Sequence, residues 1–265
     1  MLGKLMKYEW QATWKLLVPM NLFVVVMSLL SFITVQLSFF DSDNGIVIMT
    51  GTMIIVAYLL SMFVVAVGTM IYLIYRFYTS VYGDQGYLLH TLPVDKHHII
   101  IAKAFVSAVW VIINAVLFYI SIMLLFSTQR AFMEVMADAF DFYVQIANES
   151  GFDVIGGFDI FMTLVASLAA IIARILKITA CISLGQLAPN HKVLSSFGFY
   201  YGIYFVQRLF SILYYIIVFG VADRTGNFSP LFGTSWEFTL ISSLLYCVIF
   251  YALTWYMMEK KLSLD

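Results

Sequence analysis

Residues 99–127 read IIIAKAFVSAVWVIINAVLFYISIMLLFS, an apolar run interrupted by a single charge, Lys103. A helix that crosses a bilayer needs about 20 consecutive apolar residues, and this stretch supplies them. Five more runs qualify, at roughly 17–40, 46–74, 158–187, 194–222 and 237–258. In lipid every segment must satisfy its own backbone, and the alternating pattern of a membrane barrel is absent, so each run is expected to be helical. The expected fold is an all-α polytopic membrane protein, a single transmembrane domain over residues 1–265 with six spans.

Composition points the same way. The chain is 63% hydrophobic and 11% charged, whereas soluble domains carry about 25% charged residues. A net charge of -1 gives no field that would attract nucleic acid. Cys181 and Cys247 both lie inside apolar runs and read as small buried hydrophobes rather than a disulfide or metal site. Met1 to Lys15 carries three lysines but no short apolar core with a small-residue cleavage site, so no cleavable signal is expected.

Orientation follows from the bases in the loops. With the N-terminus inside, Lys4, Lys7, Lys15, Arg76, Lys96, Lys103, Lys192, Lys260 and Lys261 fall on or near the inner side, and only Arg130 and Arg224 fall outside. Both termini are therefore expected in the cytoplasm. The largest loops are 75–98 inside and 128–157 outside.

Two segments are amphipathic without being spans. Residues 1–16 are expected to form an interfacial helix, with Lys4, Lys7, Gln11 and Lys15 on one side and Leu2, Leu5, Met6 and Leu16 largely opposite. Glu9 lands on the apolar side and calls for a cationic or hydrogen-bonding partner. Residues 130–147 are expected to form an extracellular helix between spans three and four. Its acidic rim of Glu134, Asp138 and Asp141 makes it a candidate outer gate or a lid.

Arg174 and Lys177 lie in span four and Arg208 near the middle of span five. Ionisable groups inside a membrane default to a functional hypothesis, here a translocation path or an anion contact, set against polar packing or snorkelling. Ala166, Ala170, Ala173, Lys177 and Ala180 share a face of span four, and Gly198 and Gly202 form a GxxxG pattern whose usual meaning is close helix packing.

No Walker A loop, HExxH or GxSxG occurs. His90, His97 and His98 lack Cys ligands or paired carboxylates at metal spacing and read as polar interface residues. Neither a catalytic nor a metal site is expected, and the chain is not expected to be an enzyme.

One inner segment remains, Asp84-Gln85-Gly86-Tyr87-Leu88-Leu89-His90-Thr91-Leu92-Pro93-Val94-Asp95-Lys96. Asp84 can cap a short helix, Gly86 permits close backbone approach, the tyrosine and leucines offer apolar contact, and Pro93 stops the helix. Together with Ile99, Ile100 and Lys103, it resembles the first cytoplasmic loop of ABC-2 type permeases, the membrane subunits of one class of ABC exporter. Gln85 stands where many such permeases carry Glu. Residues 183–187 with His191-Lys192 are similar to the same family.

The resemblance implies a small stand-alone permease of a bacterial plasma membrane. It implies a cytoplasmic coupling helix between spans two and three, in which Asp84, Gln85, Gly86, Tyr87, Leu88, Leu89, Leu92 and Pro93 meet an ATP-binding subunit. Gln186, His191 and Lys192 would make a second cytoplasmic contact. The chain would need no cofactor of its own, since ATP and magnesium belong to the partner, and it would pair with a second permease as a homodimer or heterodimer. The cargo would be a peptide, drug or other amphipathic substrate. A rival from another class is a membrane sensor or immunity protein that binds an extracellular peptide without transporting it.

Overall fold

The computed structural model describes residues 2–37, 44–83, 86, 95–127, 134, 137–138, 141–142, 144–145, 156–188, 191–225 and 235–260. Six long helices occupy most of them: α1 Leu2–Gln36, α2 Gly45–Val81, α3 Lys96–Phe126, α4 Gly157–Gly185, α5 Lys192–Thr225 and α6 Ser235–Lys260. No strand occurs among the described residues. All six helices are long and apolar enough to cross a membrane, so the chain is a multi-pass, all-helical membrane protein.

Each helix covers one of the expected spans, but the ends differ. The interfacial helix expected over 1–16 is continuous with span one, within the single helix α1. Pro19 sits inside α1, where its missing N–H removes one rung of the ladder without ending the helix, as membrane helices tolerate. α2 runs past the expected end at 74 as far as Val81. At about 1.5 Å per residue α1 and α2 are each about 50 Å long, well beyond a hydrocarbon core of about 30 Å.

The chain divides into two compact units, Met1–Arg76 with Phe105–Phe140, and Phe77–Ala104 with Asp141–Asp265. The division falls within α2 and within α3.

In the first unit the buried face of α1 is small and polar: Thr13, Asn21, Ser28, Ser31 and Thr34 accompany Leu17 and Val24. Leu22, Phe23, Val26, Leu29, Leu30 and Ile33 are exposed. That inversion suits lipid, where apolar burial between helices gains little and small or polar residues make the contacts. Hydrogen bonds tie α1 to α2 and α3. Tyr72 donates to the Ala12 carbonyl at 3.2 Å, and Trp110 Nε1 donates to Thr13 Oγ1 at 2.9 Å. Asn114 Nδ2 donates to Thr69 Oγ1 at 2.8 Å, and the Tyr58 and Ser121 hydroxyls meet at 2.7 Å. Trp10 stacks on Trp110 at 4.8 Å. Arg76 meets Glu9 at 2.6 Å, the cationic partner that Glu9 calls for.

In the second unit α4 packs chiefly on α6 and then on α5. Ala166, Ala173 and Ala180 are buried on α4, the small-residue face that close approach requires. Phe77, Val81, Ile99, Ile100, Leu176, Ile182, Phe250 and Met258 form the core. At one end of α4, Asp159 accepts from the Gly156 N–H at 3.0 Å and from Trp236 Nε1 at 3.2 Å.

The GxxxG pattern makes no close contact among the described residues. A methyl group on Gly198 or Gly202 would meet nothing within 4 Å, so this face of α5 has no neighbour among the described residues.

Candidate functional site

The expected coupling residues Asp84, Gln85, Tyr87, Leu88, Leu89, Leu92 and Pro93 lie outside the described residues. Gly86 is described and buried, its N–H donating to the Gly83 carbonyl at 2.7 Å. A Cβ there would collide with the Val81 carbonyl group, whose carbon would lie at 2.8 Å. The glycine is thus required by close backbone approach.

Both flanks of this segment are anchored within the second unit. On the first side, the Tyr82 hydroxyl donates to Ser183 Oγ at 2.7 Å, and Ser183 passes the bond on to the Thr179 carbonyl at 2.9 Å. Burial pushes the Tyr82 phenol up to about 12, partly offset by the Ser183 bond. On the other side, Lys96 Nζ donates to the Met258 carbonyl at 2.9 Å, near the C-terminal end of α6. Next to it His97 Nδ1 lies 2.6 Å from the Tyr251 hydroxyl, and its ring stacks on Trp255 at 5.2 Å. The Asp95 carbonyl receives the first turn of α3 through the His98 N–H at 3.0 Å. Lys103 reaches back to Ser80 Oγ at 2.6 Å. Lysine 96 and histidine 97 therefore serve as anchors, a role that spacing in the sequence did not signal because their partners lie on α6.

The second expected contact flanks the α4–α5 connection. Gln186 follows α4, and its side-chain Nε2 is buried with no partner among the described residues. His191 is exposed, its carbonyl accepting the Ser195 N–H at 2.9 Å, and Lys192 opens α5. Gly185 permits close approach of the start of α5, since a Cβ there would meet Ser196 Oγ and would lie 2.7 Å from the Lys192 carbonyl. Tyr82 on one connection and Ser183 beside the other join the two expected contacts through one hydrogen bond.

Arg174, Lys177 and Arg208 form a cationic cluster on α4 and α5. Lys177 is 7% exposed, its Nζ donating to Gln207 Oε1 at 3.1 Å. The ammonium lies 4.7 Å from the Tyr200 ring centre and 5.5 Å from that of Tyr204, a range in which aromatic faces attract cations. Arg208 Nε donates to the Tyr204 hydroxyl at 2.9 Å. Arg174 and Arg208 are exposed. The structure thus brings together the three cations that the sequence placed on separate spans, and adds Tyr200, Tyr204 and Gln207, which the sequence reading missed. The signal available was the i, i+4 spacing of Tyr200, Tyr204 and Arg208 on one face of a helix.

No family of known proteins, no curated relative and no solved structure matches the chain.

Glu134, Asp138 and Asp141 are each helical and exposed. Among the described residues no three of His, Cys, Asp or Glu converge on a point that could hold a metal ion.

Proposed function

We propose that the chain is the membrane-spanning permease subunit of an ATP-driven exporter of the ABC-2 type. It moves a peptide or other amphipathic substrate outward across a bacterial plasma membrane. Both termini face the cytoplasm, and residues 84–93 dock on a separate ATPase that binds ATP and magnesium. The permease itself does no chemistry. ATP binding favours one arrangement of the spans by differential contact at the docking segment.

The observation that carries this reading is the anchoring of the segment at both ends, by Tyr82 on Ser183 and by Lys96 on the Met258 carbonyl. A docking element that transmits motion needs stiff joints to the spans it moves. Two bonds to α4 and α6 supply such joints, and the Gly86 backbone contact holds the turn close to the end of α2. A second permease has a place to pack, because Gly198 and Gly202 leave a close-approach face of α5 open.

The test uses the tagged full chain purified from its native membrane, with ATP hydrolysis measured in the eluate. The chain carries no Walker A loop, so activity that follows it belongs to a partner. Leu89→Asp with Leu92→Asp should abolish that activity while leaving membrane insertion intact. Equal ATP hydrolysis with the wild type and the double variant, or none with either, would overturn the proposal.

A further inference from the structure

We infer that α4 and α5 turn one side to a water-filled passage, where Arg174 and Arg208 take the carboxylate or phosphate of an amphipathic substrate. The inference rests on the transport proposal and names the charge of its cargo. Lys177 meets Gln207, and a Cβ on Gly185 would meet Ser196. The two helices therefore run antiparallel, with Arg174 close to the level of Arg208. At about 100° per residue, Thr163, Ser167 and Arg174 fall on the same side of the pair as Tyr204, Arg208 and Tyr215. All six are exposed. By the same count Gly198 and Gly202 lie on the far side of α5, away from α4. The exposed face of α2 has the opposite character: Met49, Met53, Val56, Leu60, Phe63 and Val67 are all apolar, as lipid contact requires.

Depth and sign decide what this side meets. Arg208 stands midway between Lys192 and Arg224, about 24 Å from each. A guanidinium at that depth is costly against acyl chains, and such groups face protein or a water-filled cavity. No span of the chain carries a carboxylate away from its ends, so neither this chain nor a second copy of it supplies a counter-charge at mid-depth. The anion must come from outside. Lys177 Nζ and Arg208 Cζ stand 5.5 and 5.1 Å from the centre of the same Tyr204 ring, and Arg174 is one turn from Lys177 on α4. The Arg208 Nε donates to Tyr204, which leaves its terminal amines to grip two oxygens of one anion. A small inorganic anion would meet the charge alone. The exposed rings of Tyr204 and Tyr215 add apolar surface for the body of an amphiphile.

The experiment is cysteine labelling in bilayer vesicles, on the full chain with Cys181→Ala and Cys247→Ala. Ser167→Cys and Val56→Cys each place a thiol about 16 Å into its helix. A thiol in hydrocarbon stays protonated, so a water-soluble maleimide should label Ser167→Cys about tenfold faster than Val56→Cys. Submicellar dodecyl phosphate should slow the labelling of Ser167→Cys several-fold, whereas dodecyltrimethylammonium and inorganic phosphate should leave it unchanged. Arg174→Gln and Arg208→Gln should each weaken that protection and together abolish it, and the labelling rate without amphiphile checks that each variant is folded. No ATPase or nucleotide is present, so a failure here and a failure of ATPase docking are separate results. Equal labelling of the two thiols would overturn the inference. So would protection by inorganic phosphate or by the cationic amphiphile, or protection undiminished in both single variants.

Discussion

Arg76 on α2 grips Glu9 on α1 through two nitrogens on one carboxylate oxygen, Nε at 3.0 Å and a terminal amine at 2.6 Å. The side chains are 25% and 12% exposed, so water screens the pair only partly. Breaking one side leaves a half-buried charge, whereas exchanging the two charges keeps the attraction. Glu9→Gln should destabilise the protein by about 2 kcal/mol, read as a lower Tm in detergent. Glu9→Arg with Arg76→Glu should recover much of the loss, and a double variant no more stable than the singles would show that the pair contributes little.

The Asn114–Thr69 bond joins α3 to α2 with both residues buried. Interhelical bonds of this kind in membrane proteins contribute about 0.6 kcal/mol on average. A double-mutant cycle of Asn114→Ala and Thr69→Val should yield a coupling of that order, measured by unfolding in mixed micelles. Additive effects would place the stability in packing alone.

Gly86 and Gly185 both stand against backbone carbonyl groups, while Gly198 and Gly202 face open space. Gly86→Ala and Gly185→Ala should each cost about 1–3 kcal/mol from overpacking. Gly198→Ala should leave the monomer's Tm unchanged. If α5 receives a second copy there, Gly202→Leu should lower cross-linking between copies without unfolding either one.

Tyr82 sets an alkaline limit. Its folded phenol is pushed up to about 12, while an unfolded tyrosine ionises near pH 10. The unfolded state therefore releases its proton first, and stability falls as pH rises from about 10 to 12. Tyr82→Phe should remove this part of the alkaline loss, at the cost of the Ser183 hydrogen bond at neutral pH. An identical pH profile in the two proteins would mean that Tyr82 titrates like a solvated phenol.

Lys177 and the two arginines illustrate what was legible in the chain and what was not. Their place within apolar runs was evident from the residues alone, as was the small-residue face of α4. Their proximity was not, since Lys177 meets Gln207 only because α4 packs on α5. Glu9 likewise signalled a need for a cation without naming Arg76. The GxxxG pattern suggested packing, and among the described residues nothing meets Gly198 or Gly202. The amphipathic segment over 1–16 was legible as a lead into span one through Pro19, and the structure makes both parts of one helix.

Six membrane helices are written into the residues alone. Apolar length and the demand that each backbone satisfy itself in lipid are properties of one segment at a time. Which polar side chains meet is settled by the packed helices: Arg76 with Glu9, Tyr82 with Ser183, Lys96 with the Met258 carbonyl, and Lys177 with Gln207. These pairings depend on which helices approach, at what level and with which faces. In lipid that choice rests on small residues and hydrogen bonds whose partners lie far away along the chain.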